Sequence, residues 1–236
     1  MNEIGTFLSK IGQIPAMHMI WGEGGTGKST FALQLCRTVL QQDQKVFYLH
    51  TKSSPISVLM NRLLKPLSSE QQSRLQVWQV DTLNKQMDII LGWLLQIQQL
   101  KTFFARQQVG LIVCDEIARL YLHEMGSEKK NESLNQQFTL LLGTLAKIAQ
   151  SQNIPVLLIN TFSNKLDEET DKNTAIPHGG KLIDFWTQLN HMSAGIEFSV
   201  MRTPQPSRMK FSITHKPEAL QLPESWTWRL SDVGFS

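Results

Sequence analysis

A chain of 236 residues that is 41% hydrophobic and 18% charged is long enough to bury a full core, and it has no block of like charge that would read as a disordered tail. Its net charge of +3, left over from 23 basic and 20 acidic residues, is too small to argue for a polyanionic partner. Its two cysteines, Cys36 and Cys114, lie inside apolar patterns, no stretch approaches the ~18 apolar residues of a membrane span, and no basic-then-apolar leader opens the chain; we expect a cytoplasmic protein (nuclear if eukaryotic), reducing in its surroundings and without membrane contact.

In chain order, the apolar run of residues 16–21 predicts a strand that enters a glycine-rich turn, and Phe31, Leu35 and Val39 then repeat on a helical period. Residues 45–49 form a second strand, after which Ser54-Pro55 opens a helix with a capping residue and a proline in the first turn. Residues 75–80 give a third strand. Asp81 is expected to cap the long helix that follows, patterned by Leu83, Met87, Ile90, Leu91, Leu94 and Ile97. The nearly continuous apolar runs 109–114 and 154–159 read as strands covered on both faces, with a helix from about 132 to 150 between them. Two shorter alternating segments, 196–200 and 209–213, flank the turn Pro204-Gln205-Pro206-Ser207 and read as a hairpin. The pattern predicts one α/β domain over residues 1–236, a mostly parallel twisted sheet flanked by helices with a C-terminal β-hairpin extension. Its ligand should sit at the carboxyl ends of the strands.

Residues 22–29 read Gly22-Glu23-Gly24-Gly25-Thr26-Gly27-Lys28-Ser29, the pattern G-x-x-x-x-G-K-S/T, with Thr30 and a helix behind it. Glycines let the backbone wrap closely enough to aim N–H groups at phosphate oxygens, and the helix N-terminus adds partial positive charge. Lys28 would reach the β- and γ-phosphates and the Ser29 hydroxyl would ligate magnesium, so the expected ligand is a nucleoside triphosphate with Mg2+. Asp115 ends the apolar strand at the place where a Walker B aspartate holds the metal through water. The bland alternative for it is an exposed carboxylate at a strand end.

With these motifs placed, the sequence resembles the RecA-type recombinase core, and within it the short archaeal RadB-like paralogues. The stretch Leu111-Ile112-Val113-Cys114-Asp115-Glu116-Ile117-Ala118-Arg119-Leu120-Tyr121 looks like that family's Walker B strand and exit, and residues 154–160 look like its next strand. Residues 177–186 resemble the Gly-Gly segment that closes the family's mobile DNA-binding loop, and Thr214-His215-Lys216-Pro217-Glu218 resembles a motif near its subunit interface. The resemblance implies a RecA-like P-loop NTPase core, ATP as the nucleotide, and a recombinase or another recombinase paralogue as partner, with single-stranded DNA as a second candidate. No Phe-x-x-Ala tether of the kind that links the family's filaments is present.

The departures weaken catalysis. The family's glutamate after the second strand is replaced by His50-Thr51-Lys52, and its glutamine sensor by Asn160-Thr161-Phe162. Losing a positioned general base costs ~10²–10⁴-fold in rate, whereas backbone N–H groups and Lys28 remain for binding. Glu116 either replaces the missing base or is an outward carboxylate at a strand end.

The position of the DNA-binding loop, residues 163–180, carries Asp167, Glu168, Glu169 and Asp171 against Lys165 and Lys172, a balance unsuited to phosphates. Arg202, Arg208, Lys210, His215 and Lys216 form a basic set with no acid between them. They would track a nucleic-acid backbone, or Lys216 would approach a neighbouring subunit's nucleotide as the resemblance suggests, or they form an ordinary solvated face. Trp186, Trp226 and Trp228 would stack on bases if exposed, although large aromatics in strands more often fill a core. The function expected is an ATP-binding accessory of homologous recombination with weak or absent hydrolysis. A KaiC-like signalling ATPase of the same fold and a small-molecule P-loop kinase are the alternatives.

Overall fold

In a computed structural model, which describes residues 3–51, 56–99, 107–167, 172–177, 195–218 and 220–236, nine strands form one sheet in the order β11-β10-β9-β8-β1-β5-β4-β2-β3. Strands β1 (Met17–Gly22), β2 (Lys45–His50), β3 (Leu75–Gln79), β4 (Val109–Asp115), β5 (Val156–Asn160) and β8 (Glu197–Arg202) pair in parallel. The central ones, β1, β4 and β5, are buried at every position, which is why they read as continuous apolar runs rather than alternating ones.

Side chains of alternate parity feed two cores, one on each face of the sheet. On one face α1 (Glu3–Ile11), α2 (Lys28–Leu40) and α3 (Ser57–Leu64) contribute to a cluster with Ile20, Tyr48, Val113 and Phe198. On the other, α5 (Leu83–Gln99) and the helices Arg119–Glu124 and Glu128–Gln152 pack on Trp21, Phe47, Ile112 and Leu158. A short helix, α4 (Ser69–Ser73), opens with a reciprocal capping box between Ser68 and Gln71.

The hairpin expected after residue 196 is present as β8 and β9 (Arg208–His215), antiparallel to each other. It continues into β10 (Ser225–Ser231) and β11 (Gly234–Phe235), strands that the turn signals did not reveal. Because β8 pairs with β1, the whole extension lies beside the strand that feeds the glycine-rich loop. The C-terminus is tied to α2 by Gln34, whose amide donates to the Phe235 carbonyl at 3.1 Å and accepts from its N–H at 2.9 Å.

Several local details differ from the sequence reading. Thr82, not Asp81, caps α5: its hydroxyl accepts from the Lys85 N–H at 3.2 Å, while Asp81 instead pairs with Lys85 Nζ at 2.8 Å. The helix expected from about 132 begins one turn earlier, at Glu128. Helix α3 starts at Ser57, and Ser54-Pro55 lie outside the described residues. Residues 162–167 and 172–177 pair as an antiparallel ribbon, β6 (Phe162–Asp167) with β7 (Lys172–Pro177), rather than forming an irregular loop. Among the described residues no helix is long and apolar enough to cross a membrane.

Candidate functional site

The loop between β1 and α2 stands at the carboxyl end of the parallel strands, where an open α/β sheet places its ligands. Each glycine in it has a different reason to be glycine. Gly22 pairs with Val200, and a Cβ there would lie 2.0 Å from the Val200 carbonyl oxygen. Gly27 caps α2 at φ +85°, and its Cβ would meet Phe235 at 2.6 Å. A Cβ on Gly24 would meet nothing within 4 Å, so no contact of the fold itself fills the space beside that residue.

That space belongs to a cavity of about 340 Å³ lined by Gly24, Gly25, Gly27, Lys28, Ser29 and Thr30 from the loop. Ile56 and Leu59 from the α3 region, Leu230 from β10 and Glu116 complete the wall. The volume falls within the roughly 300–1,000 Å³ of small-molecule sites. A larger cavity of about 470 Å³ lies at the opposite end of the sheet, among the turn residues Gln42, Asp43, Gln44, Gln108 and Asn153. It has no cation among its lining residues and no glycine loop opening a helix, so its size does not make it the better anion site.

Inside the loop the Lys28 ammonium folds back and donates to the Gly22 and Glu23 carbonyls at 2.8 and 2.6 Å. Thr26 braces the same turn through its hydroxyl, 2.9 Å from the Glu23 carbonyl. A loop with Thr26 and Lys28 buried, Gly24 and Gly25 exposed and a helix N-terminus at a cavity fits a polyphosphate. Ser29 lines this cavity, as a hydroxyl ligand to a phosphate-bound magnesium must.

Asp115 is fully buried at the end of β4, and its Oδ2 accepts from the Tyr48 hydroxyl at 2.8 Å. Burial, and then the negative charge of Asp115, push the Tyr48 hydroxyl well above its ordinary pKa, so it remains a donor that fixes the carboxylate. Asp115 is thus not a solvent-facing strand end. Glu116 follows at φ +60°, an uncommon conformation for a residue with a Cβ, which re-aims the chain as it leaves the sheet. It lines the cavity, and its carboxylate lies 3.4 Å from Arg119. Thr51 donates to the Glu116 carbonyl at 3.2 Å and so ties the end of β2 to this turn. Lys52 lies outside the described residues. The buried thiols play no reactive part: burial raises Cys36, and pushes Cys114 up to about 12.

The basic set does not gather on one surface. Arg202 reaches over the loop, donating to the Gly24 carbonyl at 3.1 Å and approaching the Glu23 carboxylate at 3.9 Å. Arg208 and Lys210 are exposed on the other side of the sheet, two apart on β9, where Arg208 is opposite Arg229. Lys216 donates to the Leu220 carbonyl at 2.8 Å and so bonds within its own loop. Trp226 and Trp228 are buried, and Trp186 lies outside the described residues. Leu230, Leu59 and Arg202 beside the loop carry no motif. The one available signal was the alternation Trp226, Trp228, Leu230, which predicts a strand with those three on one face.

Residues 12–166, well over half of the chain, match the family described as the AAA domain. Among curated proteins, those the chain is similar to include the following, each named DNA repair and recombination protein RadB. That of Methanococcus maripaludis (strain C5) is 23% identical over 170 residues, covering 72% of this chain and 71% of the relative. The Thermoplasma acidophilum protein is 27% identical over 166 residues (70% and 65%), and the Methanobrevibacter smithii protein 28% over 179 residues (72% and 68%).

Proposed function

The chain belongs to the AAA-domain family, and from that premise we propose that it is an ATP-binding accessory of DNA repair and recombination, pairing with a recombinase or a recombinase paralogue. The role in repair is supported by the names of its RadB relatives. The observation that carries nucleotide binding is the cavity walled by Gly24, Gly25 and residues 27–30, with open space beside Gly24 and Lys28 at the helix start.

Lys28 would exchange the Gly22 and Glu23 carbonyls for β- and γ-phosphate oxygens, trading neutral acceptors for charged ones. Magnesium, when bound, would neutralise phosphate charge, and Ser29 and Asp115 are the residues to hold it. Among the described residues Glu116 is the one carboxylate on the cavity wall, and it is the base for any water attack. With a lysine at position 52, where the resemblance implies a glutamate, binding should outlast hydrolysis.

Equilibrium binding of ATP with magnesium, measured beside single-turnover hydrolysis, tests this. Lys28→Ala should weaken binding by about 10- to 100-fold, the worth of hydrogen bonds to a charged group. Glu116→Gln should leave binding within about twofold of wild type while removing the remaining turnover, a loss of ~10²-fold or more. Wild-type turnover that survives Glu116→Gln would end its assignment as the base. Unchanged affinity in Lys28→Ala would count against the site itself.

A further inference from the structure

Arg202 ends β8 on the same face as Phe198 and Val200, which belong to the core beneath α2, because side chains alternate along a strand. Where that strand leaves the core, beside β1, the guanidinium turns onto the glycine-rich loop. Its Nη2 donates to the Gly24 carbonyl at 3.1 Å, and its Nε stands 3.9 Å from the Glu23 carboxylate. The two side chains are 61% and 45% exposed, so the ion pair itself adds little to stability. What the contact does is local, at one peptide of the loop.

A trans peptide is planar, and its C=O and the following N–H point to opposite sides. The Gly22 and Glu23 carbonyls turn to the ammonium of Lys28, which lines the nucleotide cavity. The Gly24 carbonyl turns instead to Arg202, which does not line it. An added Cβ on Gly25 would also point at that guanidinium, 2.9 Å from Nη2, so Arg202 occupies the outer side of this turn. The Gly25 N–H is the other half of the same trans peptide and therefore points to the inner side, where Gly24 and Gly25 both line the cavity. Two successive glycines leave such a peptide free to rotate, and the bond from Arg202 opposes that rotation.

We propose that Arg202 is a positioning residue for the nucleotide: by holding the Gly24 carbonyl outward, it keeps the Gly25 N–H directed at the phosphate site before the nucleotide arrives. The proposal rests on the nucleotide-binding reading given above. Without the bond the peptide is correctly directed only part of the time, and the apparent affinity falls by that fraction. The loss should be about fivefold, the upper end of what an exposed charged contact contributes.

The test labels the glycines of the full chain with ¹³C at the carbonyl and ¹⁵N at the amide. Only the Gly24-Gly25 and Gly179-Gly180 peptides then join a labelled carbonyl to a labelled nitrogen, so an HNCO spectrum contains two signals, and Gly179→Ala identifies the second. Without nucleotide, Arg202→Ala should move the Gly24 carbonyl signal upfield, as loss of its donor requires. The same variant should bind ATP with magnesium about fivefold more weakly than wild type. Arg202→Lys, a donor of nearly the same reach, should restore most of both. The affinity ratio of wild type to Arg202→Ala should persist from about 0.1 to about 1 M salt, over which the Debye length shrinks from about 10 to 3 Å, because orientation is not screened as attraction between charges is. An unmoved Gly24 carbonyl, equal affinities, or a ratio that collapses to one in high salt would each overturn the proposal and leave the nucleotide site standing. A wild-type chain that does not bind ATP would sink the nucleotide reading, and this role with it.

Discussion

Replacing Gly22 by alanine should lower the unfolding free energy by about 3 kcal/mol or more, the upper end of the cost of overpacking a filled site. For a chain of this length that is a fall in melting temperature of roughly 6–12 °C. The added Cβ would sit 2.0 Å from the Val200 carbonyl oxygen, and the obstacle is backbone rather than the tip of a flexible side chain. Relief requires β1 and β8 to move apart where Gly22 pairs with Val200, and that pairing joins the C-terminal strands to the rest of the sheet. Gly24→Ala, two residues away, provides the contrast, because its Cβ would meet nothing within 4 Å. Its stability should stay within about 0.5 kcal/mol of wild type. Thermal melts of the two variants side by side separate a glycine required by the fold from one that leaves room for a ligand. A Gly22→Ala protein that melts with the wild type would mean that β8 does not lie against β1 at this position.

The glycine-rich loop was legible in the sequence because its residues are contiguous: eight consecutive positions contain the turn, Lys28 and Ser29. The parallel strands were legible for a related reason, since burial on both faces leaves unbroken apolar runs. What surrounds the loop was not legible. Leu59, Leu230 and Arg202 come from three separate elements, and only the sheet order, with β8 against β1, brings β8 and the strands after it to the loop. The basic set shows the same limit. Linear proximity grouped Arg202 with Arg208 and Lys210, but the two-residue period of paired strands puts them on opposite faces. Helix α1 is a different case, because Ile4, Phe7, Leu8 and Ile11 stand at helical spacing and are all buried, so the signal was present and passed over.

A second large effect is expected from pH and is centred on His18 in β1. The ring is fully buried; its Nδ1 accepts from the Ile196 N–H at 3.1 Å, so Nε2 carries the proton and donates to the Ile14 carbonyl at 3.0 Å. A charged ring would have to place a second proton on Nδ1, where it would face an N–H donor. Burial lowers its pKa from 6.5 to about 4, with the Ile14 carbonyl opposing the shift only in part. The sign follows from linkage. Above pH 6.5 the ring is neutral in both states and contributes no pH dependence; between 6.5 and about 4 the unfolded chain takes up a proton that the folded chain refuses, so stability falls as pH falls. At 1.36 kcal/mol per unit of pKa difference, the full loss is about 3 kcal/mol, reached near pH 4. Urea unfolding between pH 7.5 and 5 should show the slope, and the window above 5 keeps it clear of most carboxylates. His18→Asn preserves one acceptor and one donor but cannot titrate; it should be less stable at pH 7.5 and flatter by close to one proton between 6.5 and 5. Parallel curves for the two proteins would show that His18 is charged, or solvated, in the folded state, and would remove the cross-link that holds the start of β8 to β1.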